Sequence, residues 1–257
     1  MSTLEIPSVL PPSMQRLREL TSPPDAKPFR VGILIGPGFI PMDMVGVQTV
    51  FGLMAGAEIH LLWKTRDLVE GFPSWWTKPT TTLSACPSDL DVLAIPMLPP
   101  EVQNDPEVVA FVRQHAPKAK YLIGICNGVL LFGAAGLLLG KRVTSSHNAL
   151  AVLPELGVSQ VVPGGSGVVV DGNLYTAGPG VGSFEAALLV VAAAFGRSSA
   201  ELAELIIEYD PHPPFGAGTI ERANSNHVAM LENLMSSMLA QYRTGAVASF
   251  RFQHHNC

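Results

Sequence analysis

Four short apolar runs, separated by stretches with helical spacing, constrain the fold of this chain more than any other feature. The runs are rich in Val, Ile and Leu and lie at Arg30–Ile35, Glu58–Trp63, Asp91–Ile95 and Tyr121–Ile125. Runs of this kind are typical of strands that are buried on both faces of a sheet. Helices are predicted at Asp43–Met54, Asp105–Gln114, Asn127–Leu138, Val181–Ala194, Ser199–Tyr209 and Ile220–Tyr242. This alternation predicts an α/β fold, with a mostly parallel central sheet and helices on both faces.

The composition favours one large globular domain that binds neither nucleic acid nor a membrane. Of 257 residues, 47% are hydrophobic and 14% are charged, which excludes a disordered chain. The net charge of −5 provides no basic surface for nucleic acid or anionic lipid. The longest apolar runs, Gly128–Gly140 and Ala186–Gly196, are shorter than the roughly 20 residues of a spanning helix. Three cysteines are too few for a disulfide framework, so we expect a cytoplasmic protein.

The two ends of the chain differ from the region between them. Residues 1–28 carry six prolines and lack the pattern of a signal peptide, so we expect an N-terminal extension that packs on the domain or on a partner subunit. Residues 29–218 form the predicted α/β domain. Residues 219–244 are expected to hold a C-terminal helix that packs on the domain or at a dimer contact, and residues 245–257 a flexible tail.

A cysteine between two glycines follows the fourth predicted strand. The sequence Gly124-Ile125-Cys126-Asn127-Gly128 lies where a strand must turn sharply into a helix. A turn of this kind, called a nucleophile elbow, holds its middle residue in a strained conformation above the sheet. A helix N-terminus stabilises negative charge, so we expect a lowered pKa for the Cys126 thiol. Cys126 is therefore the candidate nucleophile, although most cysteines are simply small buried side chains.

Asp43 is the candidate acid–base partner of Cys126. It follows the loop after the first strand, at the start of a predicted helix. If the first and fourth strands lie near each other, Asp43 meets Cys126 at the carboxyl edge of the sheet. The alternative is that Asp43 only caps its own helix. The spacing alone leaves both interpretations open.

The segment from Gly124 to Thr144 reads GICNGVLLFGAAGLLLGKRVT and resembles the ThiJ/PfpI superfamily. Further similarities, in the same order, are Met42-Asp43, Ile59–Lys64 and Glu208-Tyr209-Asp210-Pro211, and the chain is most similar to the isocyanide hydratase branch. The resemblance covers about residues 29–218 and implies a flavodoxin-like sandwich, similar to class I glutamine amidotransferases.

The resemblance also implies an activity, the hydration of a small isocyanide to an N-substituted formamide. In this mechanism the Cys126 thiolate attacks the terminal isocyanide carbon, a thioimidate forms, and water releases the formamide. Asp43 would hold the cysteine and carry the proton. Neither a metal nor an organic cofactor is implied, and a homodimer is expected.

Several residues near the elbow differ from the family pattern and predict a remodelled pocket. Met97-Leu98-Pro99 stands where the family has Gly-Gly, and Asn127 stands where the hydratase branch has Thr. The His expected after Thr144 falls at Ser146, and His147 is displaced by one position. The adjacent side chains of Trp75 and Trp76 cannot both be buried on one face of a strand, so at least one of them is expected to cover a cavity or a dimer contact. We therefore expect the substrate-binding residues to be Asn127, Met97, Leu98, Trp76, His147 and Gly180.

Two other functions remain open at this level. A diverged relative could catalyse another addition, hydration or cyclisation on a reactive secondary metabolite. Alternatively, the protein could be a non-enzymatic redox sensor that uses an oxidisable Cys126. Asp43 favours the hydratase branch over the sensor branch, because the acid more common across the superfamily is Glu.

Overall fold

A seven-stranded sheet forms the centre of the computed structural model, which describes residues 10–254. Eleven strands lie within the described residues: β1 Phe29–Leu34, β2 Ala57–Trp63, β3 Val69–Gly71, β4 Trp75–Thr77, β5 Thr81–Thr82, β6 Val92–Ile95, β7 Tyr121–Ile125, β8 Arg142–Val143, β9 Gln160–Val161, β10 Val169–Asp171 and β11 Leu174–Ala177. Seven of them form the central sheet, while β3–β4 and β8–β9 form two separate two-stranded sheets. The order in the sheet is β10-β11-β7-β6-β1-β2-β5, and the pairs are parallel except β10–β11. The predicted mostly parallel sheet is confirmed.

Helices cover both faces of this sheet, as predicted. They are α1 Pro12–Thr21, α2 Pro41–Gly52, α3 Pro100–Gln103, α4 Pro106–His115, α5 Val129–Ala134, α6 Val181–Phe195, α7 Arg197–Ile206 and α8 Ser225–His254. One layer contains α2, α6 and α7, and the other contains α4, α5 and the second half of α8. Short 3-10 turns lie at Leu83–Ala85, Ala116–Lys118, Cys126–Gly128 and Leu150–Leu156. Because both faces are covered, β6 is buried along its whole length.

Local sequence signals account for several element boundaries. Asp105 caps α4 by accepting hydrogen bonds from the Glu107 and Val108 amides, as its position before Pro106 predicts. Gly172 adopts a left-handed conformation (φ 63°) in the turn of the β10–β11 hairpin. The helix after the elbow is shorter than predicted, because α5 ends at Ala134 and Gly136 turns the chain with φ 78°.

The C-terminal end of the chain differs from the expected flexible tail. Residues 245–254 continue α8, and residues 255–257 lie outside the described part of the structure. Tyr242, Ala246 and Val247 are buried against the domain, and two side chains of α8 donate hydrogen bonds to the Ala134 carbonyl. Gly245 does not begin a frayed end, because it allows α8 to pass so close to Asn104 that a Cβ would lie 2.0 Å from the amide carbon.

A close contact between α2 and α6 yields a test of the fold. A Cβ on Gly46 would lie 2.1 Å from Ser183 Oγ and 2.6 Å from the Phe184 backbone nitrogen. We expect Gly46→Ala to lower the free energy of unfolding by about 1–3 kcal/mol, because the two helices must separate. Urea denaturation provides the measurement.

The matched control lies on the same helix. Gly52 has open space around its Cα, so Gly52→Ala should leave stability unchanged or raise it by up to about 1 kcal/mol. Equal destabilisation by both variants would contradict close packing at Gly46.

Candidate active site

The turn after β7 forms the predicted nucleophile elbow. Cys126 has a φ of 56°, in the left-handed region that non-glycine residues rarely adopt. The following glycine is sterically required, since a Cβ on Gly128 would lie 2.3 Å from the Ile95 carbonyl oxygen. Cys126 is half-buried as a whole residue, its thiol is desolvated by the surrounding protein, and its carbonyl accepts a 2.6 Å hydrogen bond from the Ser145 hydroxyl. The expected strained conformation is therefore confirmed.

Asp43 is a buried carboxyl group that joins three separate segments. It lies in the first turn of α2 with no exposed surface. Its Oδ1 accepts a 2.8 Å hydrogen bond from the Gly180 amide, and its Oδ2 accepts one of 3.2 Å from the Met97 amide. Asp43 does not cap its own helix, because residue 40 occupies the N-cap position and both oxygens are bound elsewhere. Burial raises the pKa of Asp43 to about 6, against the effect of the two hydrogen bonds.

The thiol of Cys126 has a raised pKa, so the expectation of a lowered pKa is wrong. Burial is the main cause, and the charge of Asp43 acts in the same direction. Hydrogen bonds from the Asn127 amide and the Ser146 hydroxyl lower the pKa but do not compensate. Only one 3-10 turn and the six residues of α5 follow the cysteine, so the helix dipole is small. Cys126 therefore keeps its proton at rest, while the nearby carboxylate is able to accept it.

The side chain of Asn127 belongs to a buried polar network beside the sulfur. Its Oδ1 lies 4.0 Å from Cys126 Sγ and contacts the hydroxyl of Ser146, which also contacts Asn148. Gln103 Nε2 donates to the Asn127 carbonyl at 3.0 Å. This network fixes the backbone after the elbow, and Asn127 is itself 1% exposed.

The loop after β6 carries Met97 and Leu98. The Met97 amide is bound to Asp43, and the Met97 carbonyl accepts from the Ile40 amide. The Leu98 carbonyl accepts hydrogen bonds from Gln103 Nε2 and from the hydroxyl of Tyr242 on α8. Since Met97 donates to Asp43 and Pro99 has no N–H, the amide of Leu98 is the remaining donor of this segment.

Gly180 begins α6 beside Asp43. Its φ of 66° and its contact with Met42 require glycine, since a Cβ would lie 2.4 Å from Met42 Cε. Pro179 and Gly178 precede Gly180 in the chain. Gly178 comes directly after Ala177, which is the register partner of Ile125 in β7. Gly178 therefore follows β11 at the same carboxyl edge of the sheet where Cys126 follows β7.

His147 and Trp76 lie away from the sulfur. His147 is exposed, and the position that contacts the thiol belongs to Ser146 instead. Trp76 lies on the β3–β4 hairpin with 59% of its surface exposed. The structure thus brings Asn127, Met97 and Gly180 to the Cys126–Asp43 pair, with Leu98 one residue further along the same loop.

A cavity of about 870 Å³ lies near the elbow, but neither Cys126 nor Asp43 is among the residues that line it. Its lining includes Ser145, whose hydroxyl donates a hydrogen bond to the Cys126 carbonyl, and Gly178, which follows β11. His147 and Pro179 line the same cavity, and α8 forms one of its walls. Within residues 10–254 no group of three His, Cys, Asp or Glu side chains could hold a metal ion, and no helix there has both the length and the apolarity to cross a membrane.

Comparisons with known proteins agree with this geometry. The model of the DJ-1/PfpI family matches residues 29–193, more than half of the chain. This chain belongs to the DJ-1/PfpI family. Isonitrile hydratase of Pseudomonas putida is 35% identical over 199 residues, which are 76% of this chain and 85% of that protein.

Solved structures of DJ-1/PfpI proteins share the fold. A ThiJ/PfpI family protein from Pseudomonas syringae is 30% identical with a TM-score of 0.80, covering 95% of this chain and 98% of that chain. DJ-1beta of Drosophila melanogaster is 18% identical with a TM-score of 0.60, covering 72% of this chain and 100% of that chain. The second likeness shows the fold alone. The expected flavodoxin-like α/β sandwich is thus confirmed.

The sequence did not reveal several residues that form hydrogen bonds at and around this DJ-1/PfpI site. These residues are Ser145, Ser146, Asn148, Gln103 and Tyr242. When the sequence is aligned with the family pattern without gaps, Ser146 falls where a histidine is expected, and this was the available signal for that position. No comparable signal marks Tyr242, because α8 reaches the site only through the folded structure.

Burial of Asp43 predicts a stability that depends on pH. Below pH 3.8 the Asp43 carboxyl is protonated in both the folded and the unfolded chain. Between pH 3.8 and about 6 it is ionised in the unfolded chain but still protonated in the folded one. The stability that Asp43 contributes is therefore lost as pH rises, by about 3 kcal/mol in total. We expect the free energy of unfolding of wild type minus Asp43→Asn to fall by about 2–3 kcal/mol between about pH 4 and 7.5. Urea titrations of both proteins across this pH range test the prediction. A difference in the free energy of unfolding that did not change with pH would contradict it.

The surroundings of the thiol predict opposite effects of two substitutions. Asp43→Asn removes a negative charge and should lower the pKa of Cys126, whereas Ser146→Ala removes a hydrogen bond and should raise it. At pH 8 we expect the rate of iodoacetamide alkylation at Cys126 to rise about threefold or more in the first variant and to fall in the second. Peptide mass spectrometry measures this rate.

Cys86 serves as the internal control in the same digest. Burial raises the pKa of Cys86 to about 12, and its thiol contacts its neighbour Pro87 rather than the site. Its alkylation should be equal in wild type and both variants. If the alkylation rate of Cys126 changed in the same direction in both variants, the causes assigned to its raised pKa would be wrong.

Proposed function

We propose that this protein hydrates isocyanides to N-substituted formamides, with Cys126 as the nucleophile and Asp43 as the proton carrier. One observation carries the proposal. Cys126 lies on a strained elbow, and the charge of the buried Asp43 carboxylate acts on its thiol. This carboxylate accepts hydrogen bonds from two backbone amides. The 35% identity to isonitrile hydratase supports the choice of reaction.

The proposed reaction begins with proton transfer from Cys126 to Asp43. The thiolate then attacks the terminal carbon of R–N≡C, and Asp43 returns the proton to that carbon, which gives the thioimidate R–N=CH–S–Cys126. Water adds to the same carbon, one of its protons reaches nitrogen, and the C–S bond breaks to release R–NH–CHO. The second proton of water restores the thiol. The sum is one isocyanide plus one water, with no oxidant or reductant.

Asp43 suits both directions of this transfer. A pKa of about 6 lies close to neutral pH, where a group can both accept and donate a proton efficiently. The raised pKa of the thiol makes the thiolate a strong nucleophile once it forms. Asn127 can donate and accept hydrogen bonds but cannot relay a proton as a histidine would, so the proton transfer is assigned to Asp43.

The alternative functions have different support. A redox sensor depends on a thiolate at rest, and the raised pKa of Cys126 argues against one. A diverged enzyme that catalyses another addition or cyclisation would use the same pair of residues. It is favoured by the loop at Met97 and Leu98, whose first amide is engaged by Asp43. The product formed from an isocyanide distinguishes this alternative from hydration.

We also propose that the protein acts as a cytoplasmic homodimer. Residues 71–77 expose several large apolar side chains, with Phe72 at 68%, Trp75 at 47% and Trp76 at 59%. Apolar side chains grouped in this way are typical of a contact between proteins. Under this proposal Trp76 lies at the dimer contact rather than in the substrate pocket.

Loss of either catalytic group should abolish turnover. We expect Cys126→Ala and Asp43→Ala to lower the rate of formamide release from an isocyanide by about 10³-fold or more. Mass spectrometry of the product in H₂¹⁸O measures the rate and shows that the oxygen comes from water. In wild type, kcat/KM should rise through an apparent pKa of about 6, because Asp43 must be ionised to accept the thiol proton.

Cys86→Ser is the matched control, since Cys86 is a second partly buried cysteine outside the site. Its turnover should equal that of wild type. Full activity in Cys126→Ala would eliminate the covalent mechanism, and an absence of formamide with wild type would eliminate the hydratase.

A further inference from the structure

Tyr242 on α8 has a buried hydroxyl that the proposed mechanism does not use. Tyr242 is 1% exposed, and its hydroxyl donates a hydrogen bond to the Leu98 carbonyl. The amide of Gln103 donates to the same carbonyl at 3.1 Å and to the Asn127 carbonyl at 3.0 Å. Burial raises the pKa of Tyr242, and a hydrogen bond with the Asn127 side chain acts against this effect. The Tyr242 hydroxyl therefore belongs to the polar network of the elbow.

The number of protons available fixes the direction of these hydrogen bonds. A tyrosine hydroxyl has one proton to donate, and a backbone carbonyl can only accept. Since the Leu98 carbonyl takes this proton, the Tyr242 hydroxyl can act only as an acceptor toward Asn127. An N–H donor also favours the ionised form of a phenol, in agreement with the effect of Asn127 on the pKa of Tyr242. Asn127 therefore presents its amide nitrogen to Tyr242.

The oxygen of the same amide faces the nucleophile. Asn127 Oδ1 lies 4.0 Å from Cys126 Sγ and contacts the hydroxyl of Ser146. An oxygen in this place can accept the S–H proton, but it has no proton to donate to a thiolate. If the amide were rotated by half a turn, its nitrogen would face the sulfur and an N–H would stabilise the thiolate. The orientation of the Asn127 amide thus affects the protonation of Cys126.

The other polar neighbours of Asn127 do not decide this orientation. The Ser146 hydroxyl contacts both Asn127 and Asn148, and a hydroxyl can donate to an amide oxygen or accept from an amide nitrogen. Gln103 binds only the main-chain carbonyl of Asn127. The two orientations of an amide have nearly the same shape, so packing does not distinguish them. Among the described partners of this side chain, Tyr242 is the one that admits a single orientation.

We propose that Tyr242 is a positioning residue of the site, whose hydroxyl holds the Asn127 amide with its oxygen toward the Cys126 thiol and so keeps the thiol protonated at rest. The proposal rests on the proposed function only in taking Cys126 as the reactive group. The charged groups that act on this pair are Asp43 near the thiol and Glu101 near Tyr242. Both are unchanged in the variants that test the proposal.

Alkylation of Cys126 by iodoacetamide tests the role of Tyr242 without any isocyanide. Tyr242→Phe keeps the buried ring and leaves the Leu98 carbonyl bound to Gln103, but it frees the Asn127 amide to rotate. At pH 8 we expect the alkylation rate of Cys126 to rise about threefold or more, because the rotated amide stabilises the thiolate. An unchanged or lower rate would overturn the proposal.

A double-mutant cycle shows whether Tyr242 acts through Asn127. In an Asn127→Ala background, Tyr242→Phe should change the alkylation rate less than about twofold, because no amide remains to rotate. Asn127→Thr serves as the background if Asn127→Ala does not fold. An acceleration that persists in this background would overturn the proposal, since Tyr242 would then act on the thiol by another route.

Ser249→Ala is the matched control, because it removes the same kind of hydrogen bond from the same helix. The Ser249 hydroxyl donates to the Ala134 carbonyl at 3.0 Å, outside the network of Asn127. The alkylation rate of Cys126 in this variant should stay within about twofold of wild type. If Ser249→Ala accelerated alkylation as much as Tyr242→Phe does, Tyr242 would only hold α8 in place, and the positioning role would be wrong.

The S–H stretching band of Cys126 gives a second readout. In a protein with Cys86→Ser and Cys257→Ser, Cys126 is the remaining thiol. An S–H group that donates to an amide oxygen absorbs at lower frequency than a free one, so the infrared band should move to higher frequency in Tyr242→Phe and stay in place in Ser249→Ala. A band that Tyr242→Phe leaves unmoved would overturn the proposal. If wild type turned over no isocyanide but the alkylation rate and the band changed as expected, the proposed function would be wrong and the role of Tyr242 would hold.

Discussion

The site depends on one buried carboxylate. Asp43 accepts hydrogen bonds from the amides of Met97 and Gly180, which follow β6 and β11, while Asp43 itself follows β1. Removing a carboxylate from water is costly, and the two amides offset part of that cost. In return the carboxylate ties three loops together at one edge of the sheet. Since β7 lies between β6 and β11, the loops after these two strands flank Cys126, the residue that follows β7.

This arrangement sets the resting protonation of the pair. The carboxylate that orders the loops also places its charge near the sulfur, and burial acts on the thiol in the same direction. A thiolate and a carboxylate side by side in a dry site would repel each other, so the pair holds one proton. Cys126 carries that proton at rest, and the proposed chemistry begins when it moves to Asp43. Under the proposed function, the reactivity of Cys126 comes from a partner that can accept a proton, rather than from a stabilised thiolate.

The sequence was sufficient for the features that depend on local chemistry. Apolar runs predicted β1, β2, β6 and β7 to within about one residue. The glycines around Cys126 predicted a strained elbow, because no other residue leaves room there. The polar network was not predictable in this way. Asn127, Ser146 and Tyr242 lie up to 115 positions apart (127 to 242), and only the tertiary fold brings their segments together. The pKa of Cys126 was predicted in the wrong direction because desolvation depends on tertiary packing.

The C-terminal helix contacts the loop that holds Asp43. Tyr242 is 1% exposed and donates its hydroxyl to the Leu98 carbonyl, next to the Met97 amide that holds Asp43. Two turns earlier on the same helix, Met235 lines the cavity near the elbow. A shift of α8 that widened this cavity would therefore also pull on the loop that positions Asp43. Residues 245–254 oppose such a shift, because Ser249 and Gln253 bind the end of α5, the helix that follows the elbow. Anchoring α8 at its end thus keeps both the cavity and the loop around Asp43 in place.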